Sequence, residues 1–146
     1  VSFWPNTYYG LNDTLSTPNS SQWLCAGNGT VPAFSYTDSA PWPTYTGSSF
    51  LPDTIYTATA NTIYIQGISG ADEFQVNIVS GPNWYQKTFP ASTSSIVVTA
   101  SDLSNHLQNN TGFIQIIPKK ITTVSFSGKP FIFKRGINNG YSIYFK

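Results

Sequence analysis

Charge is what this chain lacks most. Only thirteen of its 146 residues are Asp, Glu, Lys or Arg, 9% of the total, where a typical soluble domain carries about 25%. The net charge is +1, far below what a nucleic-acid-binding domain normally presents. Methionine is absent, and cysteine and histidine occur once each, as Cys25 and His106. One cysteine makes no disulfide within the chain, and one of each makes no Cys/His metal cage. No apolar run approaches the roughly 20 residues of a bilayer span. Catalytic groups are correspondingly thin. Asp102 and His106 stand four apart, close enough to meet on a helical turn, but no Gly-x-Ser-x-Gly elbow supplies a nucleophile. Asp72 and Glu73 are adjacent, so a strand sends them to opposite faces and they cannot act as a carboxylate pair. Cys25 reads as a small apolar residue. No catalytic, cofactor or metal site is expected.

Hydroxyls and amides replace the missing charge. Ser, Thr and Asn together make up 47 residues, about a third of the chain, and aromatics are heavy at 16%. That aromatic load excludes a disordered chain, and the length suits one domain with a real core. A surface of hydroxyls and amides does not titrate in acid, where ion-paired folds lose stability, so an extracellular setting fits. Four N-glycosylation sequons begin at Asn12, Asn19, Asn28 and Asn109, three of them within residues 12–30. An extracellular chain would have shed a signal peptide ahead of Val1.

The pattern along the chain is that of an all-β domain. Residues 1–10 are aromatic and extended, residues 11–52 are loop-rich with five prolines, and a dense β signal follows. Strands are predicted at 31–36, 54–56, 62–66, 73–79, 84–89, 95–100, 112–117, 121–126, 130–134 and 141–145. In the fourth of these, Phe74, Val76 and Ile78 share one face, while Gln75 and Asn77 share the other. Gly81-Pro82-Asn83, Ser127-Gly128 and Asn138-Asn139-Gly140 read as turns. The single helical hint is 101–107, capped by Ser101 or Asp102. Short strands with turns between them imply an antiparallel β-sandwich of Greek-key, immunoglobulin-like type, spanning residues 11–146.

Three features bear on function. The N-terminal decapeptide sets Val1, Phe3, Pro5, Thr7 and Tyr9 on one strand face and Trp4, with Ser2, Asn6 and Tyr8, on the other. Terminal segments usually fray and are polar; this one must bury large side chains, either as the first strand of its own sheet or in the sheet of a neighbour. The second is charge layout. All six acids precede Leu103, and six of the seven basic residues lie at or after Lys119. With Lys87 counted against the six acids, residues 1–118 carry −5 and residues 119–146 carry +6. Basic residues there guard strand edges against aggregation, contact an anionic partner, or help subunits pair head to tail. The third is a set of rings, Trp23, Trp42, Tyr45 and Trp84, which either close the ends of a sandwich or grip sugars.

Taken together, these features resemble the glycosylated thread pilins of thermoacidophilic archaea, which are similar to bacterial type I pilins in fold. The resemblance is spread over length, low charge, sequons, β-rich body and aromatic N-terminal strand, with no short diagnostic motif. It departs from chaperone–usher pilins in having no disulfide, and from type IV pilins in having no long apolar N-terminal helix. It implies an extracellular filament at the cell surface, supporting adhesion or biofilm formation, in which an extended N-terminal donor strand fills the groove of the next subunit. Partners are then other copies of the chain, with surface glycans as a target and no nucleic acid. The donor residues implied are Val1, Phe3, Trp4, Pro5, Thr7 and Tyr9. The 141–145 strand should pair within its own subunit, beside the groove. A carbohydrate-binding module and a viral coat protein are the alternatives.

Overall fold

The computed structural model describes residues 20–146 together with two short strands at Phe3–Trp4 and Thr7–Tyr8. The chain forms two compact units, residues 1–40 and residues 41–146.

In the first unit, β1 (Phe3–Trp4) and β2 (Thr7–Tyr8) pair antiparallel, with Phe3 opposite Tyr8 and Trp4 opposite Thr7. A second antiparallel pair joins β3 (Ser21–Cys25) to β4 (Phe34–Asp38). Strand alternation sends Trp23, Cys25, Phe34 and Tyr36 to the more buried face, and Gln22, Leu24, Ser35 and Thr37 to solvent. Leu24 is 74% exposed. This pair occupies a stretch whose proline content had marked it as mostly loop. The expected strand at 31–36 begins three residues later, because residues 28–31 form the turn that connects the pair.

The second unit is built on a mixed, curled sheet. Its strands are β9 (Glu73–Ser80), β10 (Asn83–Pro90), β12 (Asn110–Phe126), β13 (Lys129–Gly136), β14 (Asn139–Phe145) and β6 (Thr54–Ile55). They run in the order β10-β9-β12-β14-β6, with β13 also on β12. Two smaller antiparallel pairs complete the unit: β7 (Asn61–Tyr64) with β11 (Ser95–Val98), and β5 (Thr44–Tyr45) with β8 (Ile68–Ser69). A single turn of 3-10 helix spans Ser48–Phe50. The all-β expectation therefore holds. The large sheet is not purely antiparallel, because β6 runs parallel to the end of β14.

The strands expected at 112–117 and 121–126 are one strand of 17 residues. Asn110 pairs with Phe145, Ile116 with Asn139, Lys119 with Gly136 and Phe126 with Lys129. The register is the same throughout, so β12, β13 and β14 form one long hairpin. Its ladder is interrupted only opposite residues 117 and 118. Pro118 has no N–H to donate, and the ladder breaks there without ending the strand. At the tip, Ser127 and Gly128 both take positive φ, 50° and 76°, the primed turn that suits a tight hairpin.

One face of this sheet carries the core. Phe74, Val76 and Ile78 of β9, Ile114 and Ile116 of β12, and Ile143 and Phe145 of β14 are buried with Ile55, Ile63, Ile96, Val98 and Leu103 in one cluster. The predicted face of β9 is therefore the core face. Full burial of such a side chain contributes about 1.5–3 kcal/mol relative to exposure. The segment after β11 turns repeatedly instead of forming a helix: Asp102 N–H donates to Thr99 O, Leu103 N–H to Ala100 O and His106 N–H to Leu103 O. Its cap lies earlier than Ser101. The Asp102 carboxylate accepts from both the N–H and the hydroxyl of Thr99, at 2.8 and 2.7 Å, and Asp102 N–H donates back to Thr99 Oγ1. That reciprocal arrangement is a capping box, and it drops Leu103 fully into the core.

Candidate functional site

The edge of β14 is one of the places where, among the described residues, the large sheet is left unpaired, as are one side of β10 and one side of β13. On one side β14 pairs with β12 along Asn139–Phe145. On its other side, among the described residues, only Tyr144 and Phe145 are paired, with Thr54 and Ile55 of β6. The closed end is well tied. Tyr144 N–H donates to Asp53 O, Lys146 N–H to Ile55 O and Thr57 N–H to Lys146 O, all within 2.9 Å. Thr57 Oγ1 adds a bond to Lys146 O. Residues 139–143 thus carry a stretch of strand edge with no strand paired to it among the described residues.

Tyr141 and Ile143 face the core side of that edge. The Tyr141 ring stands edge-on to Tyr45, 6.0 Å between centroids. Tyr45 is buried, and its hydroxyl donates to Gly47 O at 2.9 Å. Burial, with Tyr141 beside it, pushes the Tyr45 phenol up to about 12, so it stays neutral at any physiological pH.

The sequence-predicted donor residues are only partly within the described chain. Phe3, Trp4 and Thr7 lie in β1 and β2, whereas Val1, Pro5 and Tyr9 lie outside the described residues. Asn12 and Asn19 lie outside them too. Asn28 is exposed in the β3–β4 connection, and Asn109 is exposed immediately before β12.

Two of the segregated acids meet bases within the second unit. Asp72 takes the Lys120 ammonium at 2.9 Å and the N–H of Ile121 at 2.7 Å. The Ile121 N–H and then Lys120 hold its carboxyl below the usual carboxylate range. Glu73 pairs with Lys134 at 3.1 Å. Two of the six acids, Asp72 and Glu73, thus neighbour bases of the last quarter, Lys120 of β12 and Lys134 of β13. Such exposed pairs contribute little, about 0–1 kcal/mol each. Beside them lies an amide ladder on the face of the sheet opposite the core. Lys119 Nζ donates to Gln75 Oε1, Gln75 Nε2 to Asn77 Oδ1, and Asn77 Nδ2 to Gln115 Oε1. Burial pushes the Lys119 ammonium below its ordinary value, opposed by Glu73. The strand alternation that put Gln75 and Asn77 on one face did not reveal this ladder, because its partners lie 38 and 44 residues away.

The rings separate clearly. Trp42 is half-buried, with the Arg135 guanidinium 5.0 Å from its ring centre. Trp23 is half-buried. Trp84 is 60% exposed, on the same face of the sheet as Phe113, with Val79 between them in register. Asp102 and His106 make no catalytic pair: the Asp102 carboxylate is committed to Thr99, and His106 Nε2 lies 3.1 Å from Ile78 O. Among the described residues no group of His, Cys, Asp and Glu is placed to hold a metal ion. No helix among them is long and apolar enough to cross a membrane.

No family model, curated protein or solved structure matches the chain.

Proposed function

We propose that this chain is the structural subunit of an extracellular filament, polymerising head to tail by donor-strand complementation. In this reading the N-terminal segment of one subunit adds a strand to the β14 edge of the next. The supporting observation is the unpaired stretch at Asn139–Ile143, open at one end and closed by β6 at the other. An added strand gains main-chain hydrogen bonds along the edge and sets alternate side chains beside Tyr141 and Ile143. Phe3 and Trp4 give up their pairing with Tyr8 and Thr7 when the segment is donated. A ribbon of two-residue strands is marginal in water, so this exchange costs little. The filament reading carries with it a pilin-like sandwich built on this mixed sheet, cell-surface location and adhesive role.

The test is deletion of Val1–Tyr9. The truncated chain is expected to be monomeric or aggregated, to melt lower than the full chain, and to regain its stability when a synthetic peptide of residues 1–9 is supplied. Negative-stain images of the full chain should show filaments. A truncated chain that assembles as before, with an unchanged melting temperature, sinks the proposal.

Glycan binding is a second reading, favoured by one observation: Trp84 and Phe113 present exposed rings on one sheet face, separated by Val79. Filament formation unaffected by Trp84→Ala, with loss of binding on a glycan array, would assign that face separately.

A further inference from the structure

Two of the four sequons lie within the described residues, and the fold treats them differently. Asn28 sits at the tip of the β3–β4 connection. Its backbone closes a turn with Val31 in both directions, Asn28 N–H to Val31 O at 2.8 Å and Val31 N–H to Asn28 O at 3.1 Å. Its side-chain Oδ1 accepts from Thr30 N–H at 3.1 Å, from Thr30 Oγ1 at 3.0 Å and from Val31 N–H at 3.0 Å. The amide is therefore fixed with its oxygen turned into the loop and Nδ2 turned away from it. Nδ2 makes no hydrogen bond to any described residue. Asn28, Gly29 and Thr30 are all exposed, and a Cβ built on Gly29 would meet nothing within 4 Å. The turn needs the glycine before it. Gly27 has φ +76°, and a Cβ there would come within 2.6 Å of Ala33 N.

Asn109 is exposed but woven into the sheet. It has a left-handed φ of 54°, and its N–H donates to Phe145 O at 2.8 Å. The sequon threonine, Thr111, is a rung of β12 opposite Tyr144, and its N–H is held by Asn110 Oδ1 at 2.9 Å. A transferase cannot take up Asn109-Asn110-Thr111 as a segment without peeling the start of β12 from the end of β14.

We infer that Asn28 is the acceptor for N-linked glycan on the folded chain, and that Asn109 stays unmodified until β12 is released. The ligand class is a lipid-linked oligosaccharide activated by phosphate. Asn28 Nδ2 attacks the anomeric carbon, a C–N bond forms, and the bond from that carbon to the phosphate oxygen breaks. The lipid phosphate leaves with the bonding pair, and one amide proton passes to a base of the transferase. The inference is independent of the filament reading.

The experiment incubates the folded full-length chain with an oligosaccharyltransferase that accepts Asn-x-Ser/Thr sequons, together with its lipid-pyrophosphate oligosaccharide. Peptide mass spectrometry follows each site in time. Asn28 is expected to gain glycan at least about tenfold faster than Asn109, the order of difference expected when the slower site must first open locally. Asn28→Gln should remove that fast phase, and Asn109→Gln should leave it unchanged. Synthetic peptides spanning 24–32 and 105–113 should be modified at similar rates, because neither retains the sheet. Equal rates at both sites of the folded chain would overturn the inference. So would glycan on Asn109 with Asn28 bare, or peptides that keep the full bias, since the preference would then belong to the sequon letters and not to the fold.

Discussion

Gly112 offers the sharpest test of how β9, β12 and β14 meet. It lies opposite Ile143, and a Cβ built on it would fall 2.1 Å from Val79 O and 2.5 Å from Phe145 Cε2. The first neighbour is backbone of β9, and the second belongs to a fully buried ring, so neither can swing aside. Gly112→Ala must push β12 away from β9 by about 1 Å, given ordinary carbon–oxygen contacts of about 3.3 Å. Overpacking of this kind costs typically about 1–3 kcal/mol, and the weakened ladder bonds beside it act in the same direction. Gly112 is not among the residues of positive φ, so alanine recovers roughly 0.4–1 kcal/mol through the unfolded chain. The net destabilisation is about 2 kcal/mol, or a fall of roughly 4–10 °C in Tm for a domain of this size. Thermal unfolding followed by near-ultraviolet circular dichroism reads it, with a urea midpoint as a second measure. Gly29→Ala, in open space, is the control and should stay within about 0.5 kcal/mol of the parent. Adding Phe145→Leu to Gly112→Ala removes the ring contact but leaves the Val79 carbonyl, so it restores none of the carbonyl share. A Gly112→Ala chain that unfolds with the parent would refute the close approach of the three strands.

Three further outcomes are expected. Asp72 has a folded pKa below its unfolded one, so its contribution is present above the unfolded carboxylate range and fades as pH falls through the folded value. Urea midpoints of the parent and of Asp72→Asn should therefore differ near pH 6 and converge toward pH 2. Thr99→Ala removes the capping hydroxyl and should cost about 1 kcal/mol in the same assay, while Ser101→Ala should cost less. Trp84→Ala should leave the melting temperature nearly unchanged, because the ring is 60% exposed.

Much of the second unit was legible because its strands alternate. Phe74, Val76 and Ile78 against Gln75 and Asn77 is a pattern that only one register satisfies. Three things were hidden for identifiable reasons. The strand predicted at 112–117 stops short of Pro118, whereas in the structure Pro118 interrupts the hairpin ladder without ending β12. The β3 strand was masked because Trp23, Leu24 and Cys25 are apolar in a row, so its alternation shows only once Leu24 is seen at the surface. The charge segregation suggested head-to-tail poles, but Asp72, in the bend just before β9, and Lys120 of β12 lie 48 residues apart in sequence and in contact in space, a relation no local pattern carries. Of the proposed filament contact, the sequence offers only the aromatic N-terminus as a candidate; the open stretch of β14 depends on how far β6 runs along it, which two residues of Thr54–Ile55 do not announce.

The parallel pairing of β6 with the last residues of β14 has a mechanical consequence. A pull on Lys146 along the strand axis loads the bonds to Asp53, Ile55 and Thr57 on one side and the β12 ladder on the other in shear, so they must yield together. A pull across the sheet would instead unzip them singly. The same few hydrogen bonds therefore resist tension along the strand far better than tension across it, and this corner of the second unit behaves as an anchor with a direction.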